Sequence, residues 1–160
     1  MGKICNGDSF VTGQRREDVV LLHFADIIDG RLHVEQGKTG MRIAIPLNLN
    51  LKTVNLCLGE VIERCRASHS SDYIINTTRR SKNGDKSLHP DALTKAFVKA
   101  RNATMLELGD NPPKFHEIRS LASRLFSIEK GEEFARLLGH KSAVMTKKYL
   151  DLRGKEYLLV

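Results

Sequence analysis

The chain has 160 residues, of which 41% are hydrophobic and 28% charged, a balance typical of one compact globular domain rather than a disordered chain. No apolar run approaches the roughly 18 residues of a membrane span, and the N-terminus lacks the apolar region of a signal peptide, so we expect a cytoplasmic protein that does not span a membrane. The formal net charge of +7 indicates a polyanionic partner, although a solvated basic surface accounts for it about equally well.

The first predicted element is a helix over residues 14–24, where apolar positions recur at helical spacing. Thr12 is its expected cap, and Arg15 would lie in its first turn. Because backbone N–H groups point outward at a helix start, an arginine beside them would make an anion site.

Residues 31–36 and 41–46 alternate between apolar and polar side chains, which predicts two strands. The sequence between them, GKTG, contains two glycines and suits a hairpin. Lys38 would then lie exposed at the tip of a β-hairpin. A lysine in such a turn usually serves only solubility.

Helices are predicted over residues 53–66, 90–104, 115–128, 132–138 and 142–150, with an extended segment at 73–75 and a polar loop at 77–87. Together these elements predict an α+β fold, mainly helical, with a small antiparallel β-sheet around the Lys38 hairpin. We expect a single domain over residues 1–160.

Basic residues cluster in the middle of the chain. Such a stretch can line a phosphate backbone, with an affinity that falls steeply as salt rises. The cluster comprises Arg79, Arg80, Lys82, Lys86, Lys95, Lys99 and Arg101. Of these, we take Arg79, Arg80, Lys82, Lys95 and Lys99 as candidate nucleic-acid contacts. The chain has no Trp and only three Tyr, so stacking of bases on aromatic side chains is not indicated.

The predicted helix over 115–128 carries an apolar face that consists of Ile118, Leu121, Ala122, Leu125 and Phe126. Away from that face lie His116 and Arg119, one turn apart. On that prediction both side chains, like Ser120 and Ser123, lie off the buried face. By itself such a pair is more often plain helix surface. His140 after Gly139 could likewise only finish a helix, and Tyr149 could be a half-buried packing residue.

Metal and disulfide chemistry are not indicated. Cys5, Cys57 and Cys65 are odd in number and form no Cys-x-x-Cys pair, so reduced thiols are expected, with Cys57 and Cys65 as small buried side chains. The six histidines lack the His-Glu-x-x-His spacing of zinc sites. We therefore expect no metal and no cofactor.

Taken in order, these residues resemble the tyrosine recombinase (phage integrase) family, and within it the lambda-type integrases. The resemblance extends over nearly the whole chain from Val11 onward. The matching stretches are VTGQRRED, DIIDGRLHVEQGKTG, IAIP, PPKFHEIRS, LLGHKS and YLDLRGKE. A lone His-x-x-Arg is a weak motif, whereas six matched positions in the same order are a strong one.

The resemblance implies site-specific DNA recombination, as in phage integration and excision, without a metal. Tyr149 would be the nucleophile that attacks a DNA phosphorus and leaves a 3′-phosphotyrosine. Arg15 and Arg119 would hold the non-bridging oxygens, since a guanidinium matches phosphate geometry and stays charged.

The remaining roles are also implied by the family. His116 would assist proton movement at the nucleophile, and His140 would donate a hydrogen bond to the phosphate. Lys38 would be the general acid for the 5′-oxygen, which fits its place on a movable hairpin. Asp18 matches an acidic position that supports the active site from behind.

The implied partners are double-stranded DNA of attachment-site type and further copies of the protein, as a tetramer on DNA when complete. DNA-bending and excisionase-type accessory proteins, and a nucleoid-associated location, follow from the same resemblance. We expect an N-terminally truncated catalytic domain, without the family's arm-binding and core-binding domains, and therefore weak, salt-sensitive DNA binding.

Three other functions are considered. The first is a non-catalytic DNA-binding remnant of a truncated prophage integrase, motivated by the truncation. The second is relaxation of supercoiled DNA by the chemistry of a type IB topoisomerase, which would need no defined site. The third, a metal-dependent nuclease, is disfavoured because no carboxylate cluster accompanies the histidines.

Overall fold

The computed structural model describes residues 11–68, 71–77, 87–131 and Phe134. Its helices are α1 (Arg16–Val19), α2 (Leu58–Ser68), α3 (Pro90–Asn102) and α4 (Glu117–Lys130). Its strands are β1 (Ile27–Ile28), β2 (Arg31–Glu35), β3 (Arg42–Pro46), β4 (Asn50–Leu51) and β5 (Leu56–Cys57). The predicted α+β class with a small antiparallel sheet is confirmed. Residues 78–86, and the predicted helices 132–138 and 142–150 apart from Phe134, lie outside the described residues.

The main sheet has three antiparallel strands in the order β1-β2-β3. Strands β2 and β3 form the predicted hairpin, in register from Arg31 opposite Pro46 to Glu35 opposite Arg42. Leu32 and Val34 are buried, as the alternation predicts, while Lys38 is exposed in the connecting loop. That loop, residues 36–41, is termed the Lys38 loop below.

Strand β1 was not predicted, although the sequence contains a signal for it. Asp29 and Gly30 connect β1 to β2 with φ values of 49° and 70°. Two consecutive positive φ values define the type I′ turn that Asp-Gly favours in two-residue hairpins. A second two-stranded pair, β4 with β5, was also unforeseen.

The prediction of a helix over 14–24 is wrong in extent, because α1 has only four residues. Beyond it the chain extends and pairs with residues 72–74: Ile74 N–H donates to Leu22 O, and Phe24 N–H donates to Asp72 O, each at 2.9 Å. This long-range pairing outweighs local helical preference. Thr12 is not the cap either, since Arg15 occupies the N-cap of α1.

The helix predicted over 53–66 begins instead at Leu58. Residues Lys52–Val54 form a 3₁₀ turn that ends at Asn55 in the left-handed conformation, with φ of 48°. Asparagine tolerates that conformation better than most residues, and it reverses the chain so that β5 pairs with β4. The predicted helix over 90–104 is observed as Pro90–Asn102, with Pro90 at its start as expected.

One hydrophobic cluster joins the sheet to the helices. Its largest fully buried side chains include Phe126 of α4, Leu32 of β2 and Ile62 of α2. Cys65 is fully buried, as predicted, whereas Cys57 is only half-buried and its thiol lies 3.6 Å from Leu47 O. Among the described residues no helix is both long and apolar enough to cross a bilayer.

Candidate active site

A cleft of about 640 Å³ opens beside the N-terminus of α1. The Lys38 loop borders it, and so does the segment that leads into α4. Four of the predicted site residues line this cleft together: Arg15, Lys38, His116 and Arg119. They come from positions up to about a hundred residues apart, and the fold brings them to one place.

Arg15 reaches the cleft from the N-cap of α1, where its backbone is extended. Its Nη1 donates to Gln36 Oε1 at 3.3 Å and lies 3.9 Å from Asp18 Oδ2. The side chain is 18% exposed. The guanidinium is thus held from behind by an amide and a carboxylate while part of it remains open to a ligand.

Arg119 is 3% exposed, so the expectation that it lies on the surface of its helix is wrong. Its Nη1 donates to Gly13 O at 2.7 Å. The segment that leads to Arg15 therefore contacts α4 at Arg119, and Ser120 and Ser123 of that helix are buried as well. On the predicted apolar face Ala122, Leu125 and Phe126 are buried, but Leu121 is 38% exposed.

Asp18 connects α1 to the Lys38 loop. Its Oδ1 accepts a hydrogen bond from Gly37 N–H at 2.9 Å. Its Oδ2 is buried without a hydrogen-bond partner and lies 3.9 Å from Arg15 Nη1. A buried carboxylate is stabilised mainly by such a cation, so Asp18 and Arg15 hold each other in place.

His116 lies at the N-cap of α4 and is exposed. The helix itself begins at Glu117, two residues later than predicted. Arg119 N–H donates to His116 O at 3.3 Å, which keeps the two residues within one turn. The imidazole lines the open side of the cleft and the guanidinium its buried side.

The cleft is strongly cationic. Among the described residues five permanent cations and two carboxylates line it, and the cations that the sequence did not single out are Arg16 and Lys114. Lys114 precedes His116 by two residues, which was a usable signal. The hydrogen bond with Glu17 raises the pKa of Arg16. Burial acts to raise the pKa of Glu17, yet the bond from Arg16 leaves that pKa lowered.

Several predicted residues are not brought to this cleft by the described structure. His140, Tyr149, Arg79, Arg80 and Lys82 lie outside the described residues. Lys95 and Lys99 are exposed on α3. Within the described ranges no three His, Cys, Asp or Glu side chains stand close enough to hold a metal ion.

This arrangement suits a phosphate diester. Two guanidinium groups can each donate two parallel hydrogen bonds to anionic oxygens, and they stay charged at any working pH. An exposed lysine on a loop and an exposed imidazole can add proton transfer or further hydrogen bonds. Charge that develops on phosphoryl oxygens would be stabilised by donors already in position.

Comparisons with known proteins identify a family and several relatives. Residues 9–156 match the model of the phage integrase family. The chain is 47% identical over 148 residues to the integrase of Escherichia phage HK022 and 40% identical over 148 residues to that of Escherichia phage lambda. These alignments include 92% of this chain but only 40% of each relative.

Solved structures give the same result. A lambda integrase dimer bound to a COC′ core site superposes with a TM-score of 0.86 at 38% identity, over 98% of this chain and 43% of the other. The lambda integrase catalytic core superposes with a TM-score of 0.77, over 86% of this chain and 81% of that one. This chain thus spans about 40% of the length of the integrase relatives named above and aligns with 81% of that catalytic core.

Proposed function

The chain belongs to the phage integrase family, and we propose that it is a recombinase catalytic domain that cuts and rejoins DNA at a specific site through a 3′-phosphotyrosine. The observation that carries the proposal is the meeting of Arg15, Arg119, Lys38 and His116 in one cleft. Each of these residues is common on protein surfaces. It is uncommon for all four to line one cavity in the order typical of the family.

The cleavage step can be written with every atom accounted for. The Oη of Tyr149 bonds to phosphorus, and the bond from phosphorus to the 5′-oxygen breaks. The phenol's proton leaves towards His116, and Lys38 Nζ supplies a proton to the departing 5′-oxygen. The reverse step, with another DNA 5′-hydroxyl as attacker, rejoins the strand.

The positive charge of the cleft would help the phenol of Tyr149 to ionise and so to act as a nucleophile. Its free pKa of about 10 leaves little phenolate at neutral pH, and a cationic site favours the ionised form. Arg15 and Arg119, with His140 as a proposed third donor, would stabilise charge on the pentacoordinate phosphorus. Loss of one such donor typically costs about 3–4 kcal/mol in a comparable oxyanion site.

Because the covalent intermediate keeps the phosphodiester's energy, resealing needs no external energy source. The chain's own cations would take the place that a metal ion has in metal-dependent phosphoryl transfer. This proposal therefore requires neither a metal nor a cofactor.

The proposed partners follow from the family. The similar lambda structures include a dimer on a core site and a tetramer on a Holliday junction. We infer that this chain contacts double-stranded DNA of attachment-site type, and that the complete protein acts as a tetramer. Accessory proteins of DNA-bending and excisionase type, and a nucleoid-associated location, belong to the same proposal.

Covalent trapping tests the function directly. This chain is mixed with a nicked suicide DNA substrate and with full-length lambda-type integrase protomers that lack their own nucleophile. Only Tyr149 can then form an adduct. We expect a covalent protein–DNA band with the combined mass of this chain and the attached DNA strand. The matched control, Tyr149→Phe, should form none.

The alternative functions predict other results, in this assay or in a related DNA cleavage or relaxation assay. DNA retention without any adduct from the wild-type chain would indicate a non-catalytic DNA-binding domain and would refute the proposed function. Relaxation of supercoiled plasmid lacking the site would indicate topoisomerase behaviour. Cleavage that EDTA abolishes would point to a metal-dependent nuclease.

A further inference from the structure

Gln36 is a fully buried amide in the Lys38 loop, next to the cleft. Its Oε1 accepts hydrogen bonds from Arg15 Nη1 at 3.3 Å and from Thr39 Oγ1 at 2.8 Å. Its Nε2 donates to Gln14 Oε1. One side chain thus contacts both a phosphate-gripping arginine and the residue that follows Lys38.

The sequence pattern makes this amide unusual. Positions 32, 34 and 36 all point inward from β2 and its extension, and the first two are Leu and Val. An apolar residue at 36 would continue the pattern and avoid the cost of burying an amide. A polar residue at a position where the pattern is apolar is expected at functional sites, where folding alone does not set the residue.

The backbone of Gln36 also closes the Lys38 loop. Its N–H donates to Met41 O at 2.9 Å, and its carbonyl accepts from Thr39 N–H at 3.3 Å and Gly40 N–H at 2.7 Å. The backbone of Gln36 therefore holds the base of the loop that carries Lys38.

A second connection runs in parallel. Asp18 accepts from Gly37 N–H at 2.9 Å and lies 3.9 Å from Arg15. These contacts form a closed ring that joins Arg15, Gln36, Gly37 and Asp18. Because both residues that hold Arg15 also hold the loop, the loop cannot shift far without disturbing the guanidinium.

We propose that Gln36 is a positioning residue that fixes Lys38 relative to the phosphate gripped by Arg15. The inference rests on the proposed function, in which Lys38 protonates the 5′-oxygen as its bond to phosphorus breaks. Gln36 does not contact the DNA. It acts through the loop, so its loss impairs the step that needs Lys38.

The experiment compares two suicide substrates that differ in one atom. The first has the natural 5′-oxygen at the scissile bond, and the second has a bridging 5′-sulfur. A thiol, with a pKa of about 8.5, leaves without being protonated. The sulfur substrate therefore does not need a general acid, whereas the oxygen substrate does.

The variant Gln36→Met keeps the side chain's length and removes its hydrogen bonds. On the oxygen substrate we expect adduct formation to slow by about 10-fold to 100-fold, less than the ~10²–10⁴ that a general acid itself contributes. On the sulfur substrate the loss should be clearly smaller, because Asp18 still holds Arg15 and only the contact from Arg15 to Gln36 is missing. Lys38→Ala should show the same selective loss, and Arg15→Ala should lose activity on both substrates.

Thr39→Val serves as a second variant, because it removes one of the Gln36 contacts without touching the core. It should show the same selectivity for the oxygen substrate with a smaller loss. Melting curves of both variants establish that they fold. An equal loss on the two substrates, or no loss on either, overturns the proposal.

Limited digestion with trypsin gives a readout that does not depend on activity. If Gln36 anchors the loop, cleavage after Lys38 should be several-fold faster in Gln36→Met than in the wild type, while cleavage after Lys99 on α3 is unchanged. An unchanged rate after Lys38 overturns the proposal. If wild type forms no adduct on either substrate, the proposed function fails, and this digest alone decides the role of Gln36.

Discussion

Buried polar groups hold the two arginines of the cleft before any ligand arrives, a backbone carbonyl for Arg119 and two side chains for Arg15. Arg119 donates to Gly13 O, and Arg15 is held between Gln36 and Asp18. A guanidinium that must reorganise on binding stabilises a transition state less than one that is already in position. The preorganised arrangement also explains why a charge as costly to bury as that of Arg119 is retained at 3% exposure.

Replacing Arg119 by lysine should separate charge from geometry. Lysine keeps the positive charge but offers a point donor instead of a planar fork. It cannot hold Gly13 O and two phosphate oxygens together. We expect covalent adduct formation in Arg119→Lys to fall by about 10²–10³-fold, the loss seen for one oxyanion donor.

The measurement is single-turnover trapping on the suicide substrate, with thermal melting as the folding control. A variant that melts near the wild-type temperature and retains wild-type trapping would contradict the assigned geometry of Arg119.

Among the elements, α4 is fixed at both ends by different contacts. Its N-terminus places His116 and Arg119 at the cleft. At its C-terminal end Glu129 accepts hydrogen bonds from Thr53 Oγ1 at 2.6 Å, Thr53 N–H at 2.9 Å and Lys52 N–H at 2.8 Å. One carboxylate thus caps the 3₁₀ turn that follows β4 and ties it to the helix that carries the site.

These bonds give Glu129 a role that depends on pH. The hydroxyl of Thr53, then the N–H groups of Thr53 and Lys52, hold the pKa of this carboxyl below its ordinary value of 4.5. The ionised form is thus favoured by folding, and its stabilising effect is fully present above about pH 4.5. It is lost as the pH falls through the folded-state pKa.

Glu129→Gln should therefore melt at a lower temperature than wild type at pH 7, and the gap should close as the pH falls below about 4.5. Melting curves from pH 3 to pH 7 measure this. Glu107→Gln, at an exposed carboxylate outside α4, is the matched control. A gap that is constant with pH would show that these bonds do not depend on the charge of Glu129.

For the whole molecule, the net charge of +7 is the property that would govern approach to the proposed DNA partner. Each cation that neutralises a phosphate releases a counterion, so the logarithm of the binding constant falls linearly with the logarithm of salt concentration. Lys95 and Lys99 are exposed on α3, and Thr94 of that helix lines the cleft. Of the proposed DNA-binding residues, Lys95 and Lys99 are the two that lie within the described part of the chain.

Removing both lysines tests whether α3 contacts the backbone. In Lys95→Ala/Lys99→Ala we expect the salt slope for a DNA duplex to become shallower by about 0.9 per lost phosphate contact, nearly two units if both contact DNA. Fluorescence anisotropy across a salt series measures the slope. The control is Lys130→Ala, at the opposite end of α4 from His116, which should leave the salt slope unchanged. An unchanged slope in the double variant would show that α3 does not contact DNA.

The gap between prediction and structure is instructive at particular residues. The Lys38 hairpin and the start of α3 at Pro90 were predicted because turn glycines and an N-terminal proline act over a few residues. The helix predicted over 14–24 was wrong in extent, because residues 22–24 pair with residues 72–74. No local pattern reports a partner fifty residues away. The surface position predicted for Arg119 was wrong for a similar reason: the residue is buried and donates to Gly13 O, 106 positions earlier in the chain.

The sequence by itself determined the chemical types of the site and their order along the chain: arginine, lysine, histidine and arginine at 15, 38, 116 and 119. It also determined the charge of the molecule and the class of fold, because hydrophobic periodicity is a local property. Only the tertiary structure decided that these four share one cleft, that Arg119 is buried, and that Gln36 joins Arg15 to the Lys38 loop. Those facts depend on contacts between distant segments, whose energies come from burial and hydrogen bonds that exist only once the chain has folded.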